Sequence, residues 1–151
     1  MSDSIGPGLF TTLAGTTHVV FEDKEAQLET RPGFKRVRMV LGDPDDPAAP
    51  QAIWAQDPPG VVWDRQACPT DFVIVYLQGG QTIDGKWYGA GEARLQKGGT
   101  VYGPIEAGPE GSTVLLVFKD QNYHAVFEGA AFGQFESPYF KHAHLPDDAS
   151  S

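Results

Sequence analysis

Short runs of β-branched and aromatic residues, closed off by glycine or proline, recur along this chain. That punctuation predicts many short strands rather than helices. In Lys35-Arg-Val-Arg-Met-Val-Leu41, Val37, Met39 and Leu41 share one face and Arg36 and Arg38 the other. Gly42 to Pro50 carries three prolines, which lack the amide hydrogen that a ladder needs, and reads as a loop. Short strands follow at Ala52–Ala55 and Val61–Trp63. Phe72-Val-Ile-Val-Tyr-Leu77 is apolar on both faces, as expected of a strand in the middle of a sheet. Gly79-Gly80 then reads as a turn. Gln81–Ile83 and Lys86–Tyr88 flank Asp84-Gly85, a pair suited to a type I′ hairpin, where both central residues need positive φ. Further strands are expected at Ala93–Gln96, Thr100–Tyr102 and Ser112–Phe118, with a turn at Gly98-Gly99. Glu22–Glu29 is the place for a short helix. Strands at this spacing without crossover helices imply an antiparallel sandwich or barrel.

Length and composition then set the scale. A chain of 151 residues suits one domain, able to bury roughly 68–70% of its unfolded surface. The expected organisation over residues 1–151 is an N-terminal arm (1–33), a barrel core (about 34–120), an aromatic segment (121–144) and a frayed tail (145–151). Tyr123, Phe127, Phe132, Phe135, Tyr139 and Phe140 give that segment the look of a surface packed on the barrel or on a partner subunit. The formal net charge of -9 argues against nucleic acid and against anionic membranes as partners, since phosphate contacts require clustered cations. A single cysteine, Cys68, and a polar amino terminus without a basic leader point to a cytoplasmic protein. No apolar run approaches the ~20 residues of a membrane helix.

Three segments carry a resemblance. The run from Cys68 to Gly79 resembles the first cupin motif, a strand closed by an apolar run and glycine. Ile83 to Gly91 looks like the hairpin between the two cupin motifs, and Lys97-Gly-Gly-Thr-Val-Tyr-Gly-Pro104 resembles the second, which usually reads Pro-x-Gly-x-x-His. The likeness covers about a third of the chain. It implies an all-β, single-domain, jelly-roll β-barrel with few short helices, one interior pocket, and often a homodimer. Typical cupins hold a divalent metal through His-x-His, a Glu and a later His. Those positions fall here on Gln66, Cys68, Phe72 and Tyr102. Amide, thiol, phenyl and phenol are not the hard nitrogen and oxygen ligands of such a site, so the expectation is no metal and no cofactor. His142-x-His144 has ligand-like spacing but reads as a surface pair, while His18 and His124 read as core or interface histidines.

Alternate side chains of a barrel strand face inward, so the former ligand positions should line the pocket with Trp54, Trp63, Tyr76 and Arg38. Such a mixture of aromatic and hydrogen-bonding groups fits a small molecule. Tyr102 is the foremost catalytic candidate, because a phenol in a dry pocket can donate to a carbonyl oxygen or act as a general acid beside a cation. Arg38 and Arg94 are the cationic candidates, though barrel-strand arginines more often face outward. Asp64 and Cys68 are weaker candidates for a base or nucleophile, with Asp71 a further carboxylate. Gln66 and Phe72 would orient the substrate. The expected function is metal-independent acid–base chemistry (isomerisation, cyclisation, dehydration or lyase type) on a small, largely apolar oxygenated molecule. The alternatives are a non-catalytic binding barrel and a metal-dependent dioxygenase or hydrolase with atypical ligands.

Overall fold

The computed structural model describes residues 10–13, 16–23, 27–28, 31–128 and 139–147. Regular structure among them is almost all strand: β1 (Phe10–Leu13), β2 (Thr16–Val19), β3 (Lys35–Val40), β4 (Gln51–Asp57), β5 (Val62–Trp63), β6 (Gln66–Ala67), β7 (Phe72–Ile83), β8 (Lys86–Gly89), β9 (Ala93–Gln96), β10 (Val101–Tyr102), β11 (Ile105–Phe118), β12 (Val126–Phe127) and β13 (Ala143–His144). A 3-10 turn occupies Tyr139–His142. Glu22, Asp23, Gln27 and Leu28 are not helical, and the remainder of the short helix expected at Glu22–Glu29 lies outside the described residues, as do Phe132 and Phe135. Among the described residues no helix is long and apolar enough to cross a membrane.

Eight antiparallel strands form one sheet in the order β13-β5-β11-β4-β3, with β7 on the other flank of β11 and β8 and β9 paired to β7. This sheet curls into a half barrel. A small sheet, β10-β6-β12, provides further wall, and β1 with β2 forms a separate hairpin. The core gathers side chains from both walls, including Phe72, Ile74, Tyr76, Val114 and Phe118 from the large sheet and Tyr102 and Phe127 from the small one. Each such apolar side chain contributes on the order of 1.5–3 kcal/mol by leaving water.

The centre of the fold is the long pairing of β7 with β11, from Phe72 opposite Phe118 to Ile83 opposite Ile105. The turn expected at Gly79-Gly80 is not one: β7 runs straight through. Between Ala107 opposite Gln81 and Ser112 opposite Gly79 the register shifts, so Gly108 to Gly111 bow outward against Gly80 alone. Gly79 sits at φ 66, and a Cβ there would lie 2.1 Å from the Gly111 carbonyl oxygen. A glycine pair thus marks close backbone approach in a bulge here. The Asp84-Gly85 hairpin forms as expected, with φ 50 and 79 and Ile83 opposite Lys86.

The alternation expected in β3 is present, and its arginine face is the inner one. Arg36 lies opposite Ala55, and Val37 opposite Trp54. Directly opposed residues share a face, and the Arg36–Ala55 face is the one turned to the cavity. The Val37–Trp54 face is outside, yet Val37 is fully buried, and Phe21 stacks on Trp54 at 5.1 Å. His18, expected in a core or interface, is exposed on β2.

Candidate functional site

Inside the half barrel lies a cavity of about 90 Å³, lined by Arg36, Ala55, Asp57, Trp63, Gln66, Phe72, Ile74, Gln81, Arg94, Tyr102, Ile105, Val114 and Leu116. One water needs about 10–15 Å³ by this measure, so the space holds several waters or one small organic molecule. β10 and β6 place Tyr102 directly opposite Gln66, which brings phenol and amide to one face. Phe72 on β7 tilts against the Tyr102 ring at 6.2 Å. Three of the four positions expected from the cupin resemblance to hold metal, Gln66, Phe72 and Tyr102, therefore line one cavity. Trp63 lines it as well, its Nε1–H donating to Asp57 Oδ2 at 2.8 Å. Asp57 also ion-pairs with Arg36 at 2.8 Å, so this buried carboxylate is charge-matched on one oxygen and hydrogen-bonded on the other.

The remaining expected residues stand elsewhere. Cys68 is buried outside the cavity lining, with its Sγ 3.5 Å from the Tyr123 carbonyl oxygen. Burial pushes its thiol up to about 11, which leaves no thiolate near neutral pH. Asp64 is half exposed, and its two carboxylate oxygens face His142 Nδ1 at 3.0 Å and His144 Nε2 at 2.9 Å. The His-x-His pair therefore has an acidic partner after all, and together they dock β13 onto β5 outside the cavity. Asp71 accepts from the Gly98 amide at 2.7 Å and braces a loop. Arg38 donates to Gln51 at 2.5 Å and to Gln121 at 2.6 Å and covers the Tyr123 ring, so it clamps the segment after β11 instead of reaching the cavity. Trp54 points to the opposite face of β4 from Ala55. Tyr76 lies in the core beside the lining, donates to Gln81 Oε1 at 3.1 Å and stacks on Tyr88. Burial raises its phenol, and Arg94 opposes that rise.

Sequence reading missed Arg36, Asp57 and Gln81 as lining residues, while Arg94, one of its two cationic candidates beside Tyr102, does line the cavity. Arg94 is buried, its guanidinium 4.8 Å from the centre of the Tyr102 ring, 5.7 Å from Tyr88 and 5.8 Å from Phe72. The available signal was Arg94 opposite Ile74 across β7 and β9, since Ile74 is an inward residue of a strong strand. A more open hollow elsewhere, lined by Leu95, Lys97, Val117 and Lys119 among others, has no comparable gathering of buried polar groups.

No protein-family model and no curated protein matches the sequence. Solved structures do match its shape. Oxalate decarboxylase from Bacillus subtilis at pH 4.6 aligns with a TM-score of 0.52 at 18% identity, over 73% of this chain and 30% of that one. Its E162A mutant aligns at 0.53 and 20% identity, over 70% and 30%. The chain thus spans about a third of the length of these enzymes, for one of which Mn(II) centres are described. The cavity here does not fit such an ion. Among the described residues no group of three or more His, Cys, Asp or Glu side chains is placed to hold a metal ion, the cavity lining offers Asp57 alone of these types, and the guanidinium of Arg94 would repel a dication in the same space. Oxalate decarboxylase is a member of the cupin superfamily, and this chain has a cupin-like fold, a strongly curled antiparallel sheet around a protic and aromatic cavity.

Proposed function

We propose that the cavity takes up a small oxygenated molecule and performs acid–base chemistry on it without a metal. The observation that carries this is the convergence of Tyr102, Gln66, Gln81 and Arg94 on one cavity that the apolar side chains of Ile74, Ile105, Val114 and Leu116 also line. Donors preorganised in a dry site stabilise negative charge developing on oxygen far better than water does. Tyr102 polarises or protonates the substrate oxygen, Gln66 orients it, and Asp57 is the carboxylate of the lining that can receive a proton. A set rich in donors and poor in bases favours dehydration, lyase or isomerisation steps in which oxygen is the group activated. Removing one oxygen by Tyr102→Phe is expected to lower turnover by about 10²–10³. The assay is NMR of small hydroxy and oxo compounds incubated with protein of unchanged circular dichroism. Equal turnover by the variant would remove Tyr102 from the mechanism.

A second reading, binding without turnover, draws on a specific observation. Both base candidates expected from sequence are out of play, Asp64 outside the cavity and Cys68 held as a thiol, while Asp57 is engaged by Arg36 and Trp63. Recovery of a bound compound chemically unaltered after long incubation would favour it.

A further inference from the structure

Arg94 is 9% exposed, and its Nε–H is buried without any acceptor. One terminal nitrogen donates to Gln96 Oε1. The aromatic rings of Tyr102, Tyr88 and Phe72 lie around the guanidinium. Cation–π contact steadies the plane of the group, and Gln96 and the Tyr76 side chain meet other donors of its fork, but none of these supplies an acceptor to Nε–H. Among the described residues no carboxylate is ion-paired with it: Asp57, the one acidic residue in the lining, is matched by Arg36. Two guanidiniums against one carboxylate leave a single uncompensated positive charge in a cavity about 90 Å³ in size. The protein as a whole carries net charge -9, so this cation is no by-product of a basic surface. A buried charge without a partner is costly, as is a buried donor without an acceptor. Both costs vanish together if the occupant of the cavity is an anion with paired acceptor oxygens, since a carboxylate matches the fork of a guanidinium.

We infer that the ligand of this cavity is a small carboxylate with an apolar body, its carboxylate on Arg94 and its body against Ile74, Ile105, Val114 and Leu116. This rests on the small-molecule reading above and narrows it: the largely apolar molecule expected from sequence acquires an anionic end. The apolar lining separates a carboxylate from inorganic phosphate, which has nothing to place there.

The test is calorimetric titration of the whole protein with propionate, butyrate and lactate against propionamide, butyramide and lactamide, at fixed ionic strength, with inorganic phosphate as a charge-only control. The acids are expected to bind roughly tenfold or more tightly than their amides, a difference typical of a charged hydrogen-bonded pair. Arg94→Met should erase that preference while the thermal midpoint of the ligand-free protein holds or rises, because an apolar side chain of similar length replaces an unpaired buried charge. Arg94→Lys should keep part of the preference. Equal binding of acids and amides by the wild type, a preference surviving in Arg94→Met, or phosphate binding as tightly as butyrate would overturn the inference and leave the small-molecule reading standing. If neither acids nor amides bind, both fall.

Discussion

At the residue scale, neighbours outweigh chemical type. Cys68 and Tyr102 are both buried groups read from sequence as reactive, but only Tyr102 faces the cavity, beside Gln66 and Arg94. Cys68 contacts a carbonyl and is raised by burial above all, with Asp120 and Asp71 adding repulsion. In the folded state the thiol therefore stays protonated where the unfolded chain ionises. A raised pKa gives stability that is complete below the unfolded value of 9.0 and is lost as pH climbs toward about 11. The urea midpoint should accordingly fall between pH 9.0 and about 11, and a Cys68→Ala variant should fall less steeply across that window. Native protein at pH 8 should also resist iodoacetamide and become alkylated in urea. Rapid alkylation of the native protein would show that the thiol is more accessible than its 3% exposure indicates. Burial likewise raises Tyr76 and Tyr123, so part of the alkaline decline should persist in the variant.

At the element scale, the β7–β11 pair sets the shape of the site. The bulge at Gly108 to Gly111 lets β11 serve two neighbours: Ser112 to Phe118 pair with β4, and Ile105 and Glu106 with β5. Trp63 and Ile105, opposed across β5 and β11, both line the cavity. The bulge is possible because two backbones touch at Gly79. A methyl group there meets the Gly111 carbonyl and must also accept a positive φ. Gly79→Ala is expected to cost about 2–4 kcal/mol, from positive-φ strain and a clash with backbone that has no room to give. Urea denaturation measures it, and a loss below about 1 kcal/mol would mean that the bulge adjusts freely. The sequence alone suggested a turn because Gly-Gly has the same local freedom in either setting. Only the identity of the strand opposite distinguishes them.

At the scale of the whole molecule, the curled sheet delivers residues distant in sequence to one small space: Arg36 from β3, Asp57 from β4, Gln66 from β6, Arg94 from β9 and Tyr102 from β10. The lining is cationic and protic, and manganese should find no purchase in it. Dialysis against Mn2+ followed by elemental analysis is expected to leave well under one ion per chain, with no rise in thermal midpoint. Stoichiometric retention would restore the metal-dependent alternative.

The sequence by itself determined the strands, the Asp84-Gly85 hairpin and the likeness to a cupin, because these depend on alternation, turn chemistry and short-range spacing. It also placed Gln66, Phe72 and Tyr102, since a barrel keeps its motif positions pointing inward. The tertiary structure alone decided which face of β3 is inside, because Val37 on the outer face is as fully buried as a core residue, where Phe21 stacks on its cross-strand neighbour Trp54. It alone paired Asp57 with Arg36 and Asp64 with the two histidines, contacts that span from 21 to 80 positions along the chain. And it left Arg94 buried with no ion-pair partner among the described residues, which no local pattern can encode, because charge balance in a cavity is the sum over strands that meet only when the sheet closes.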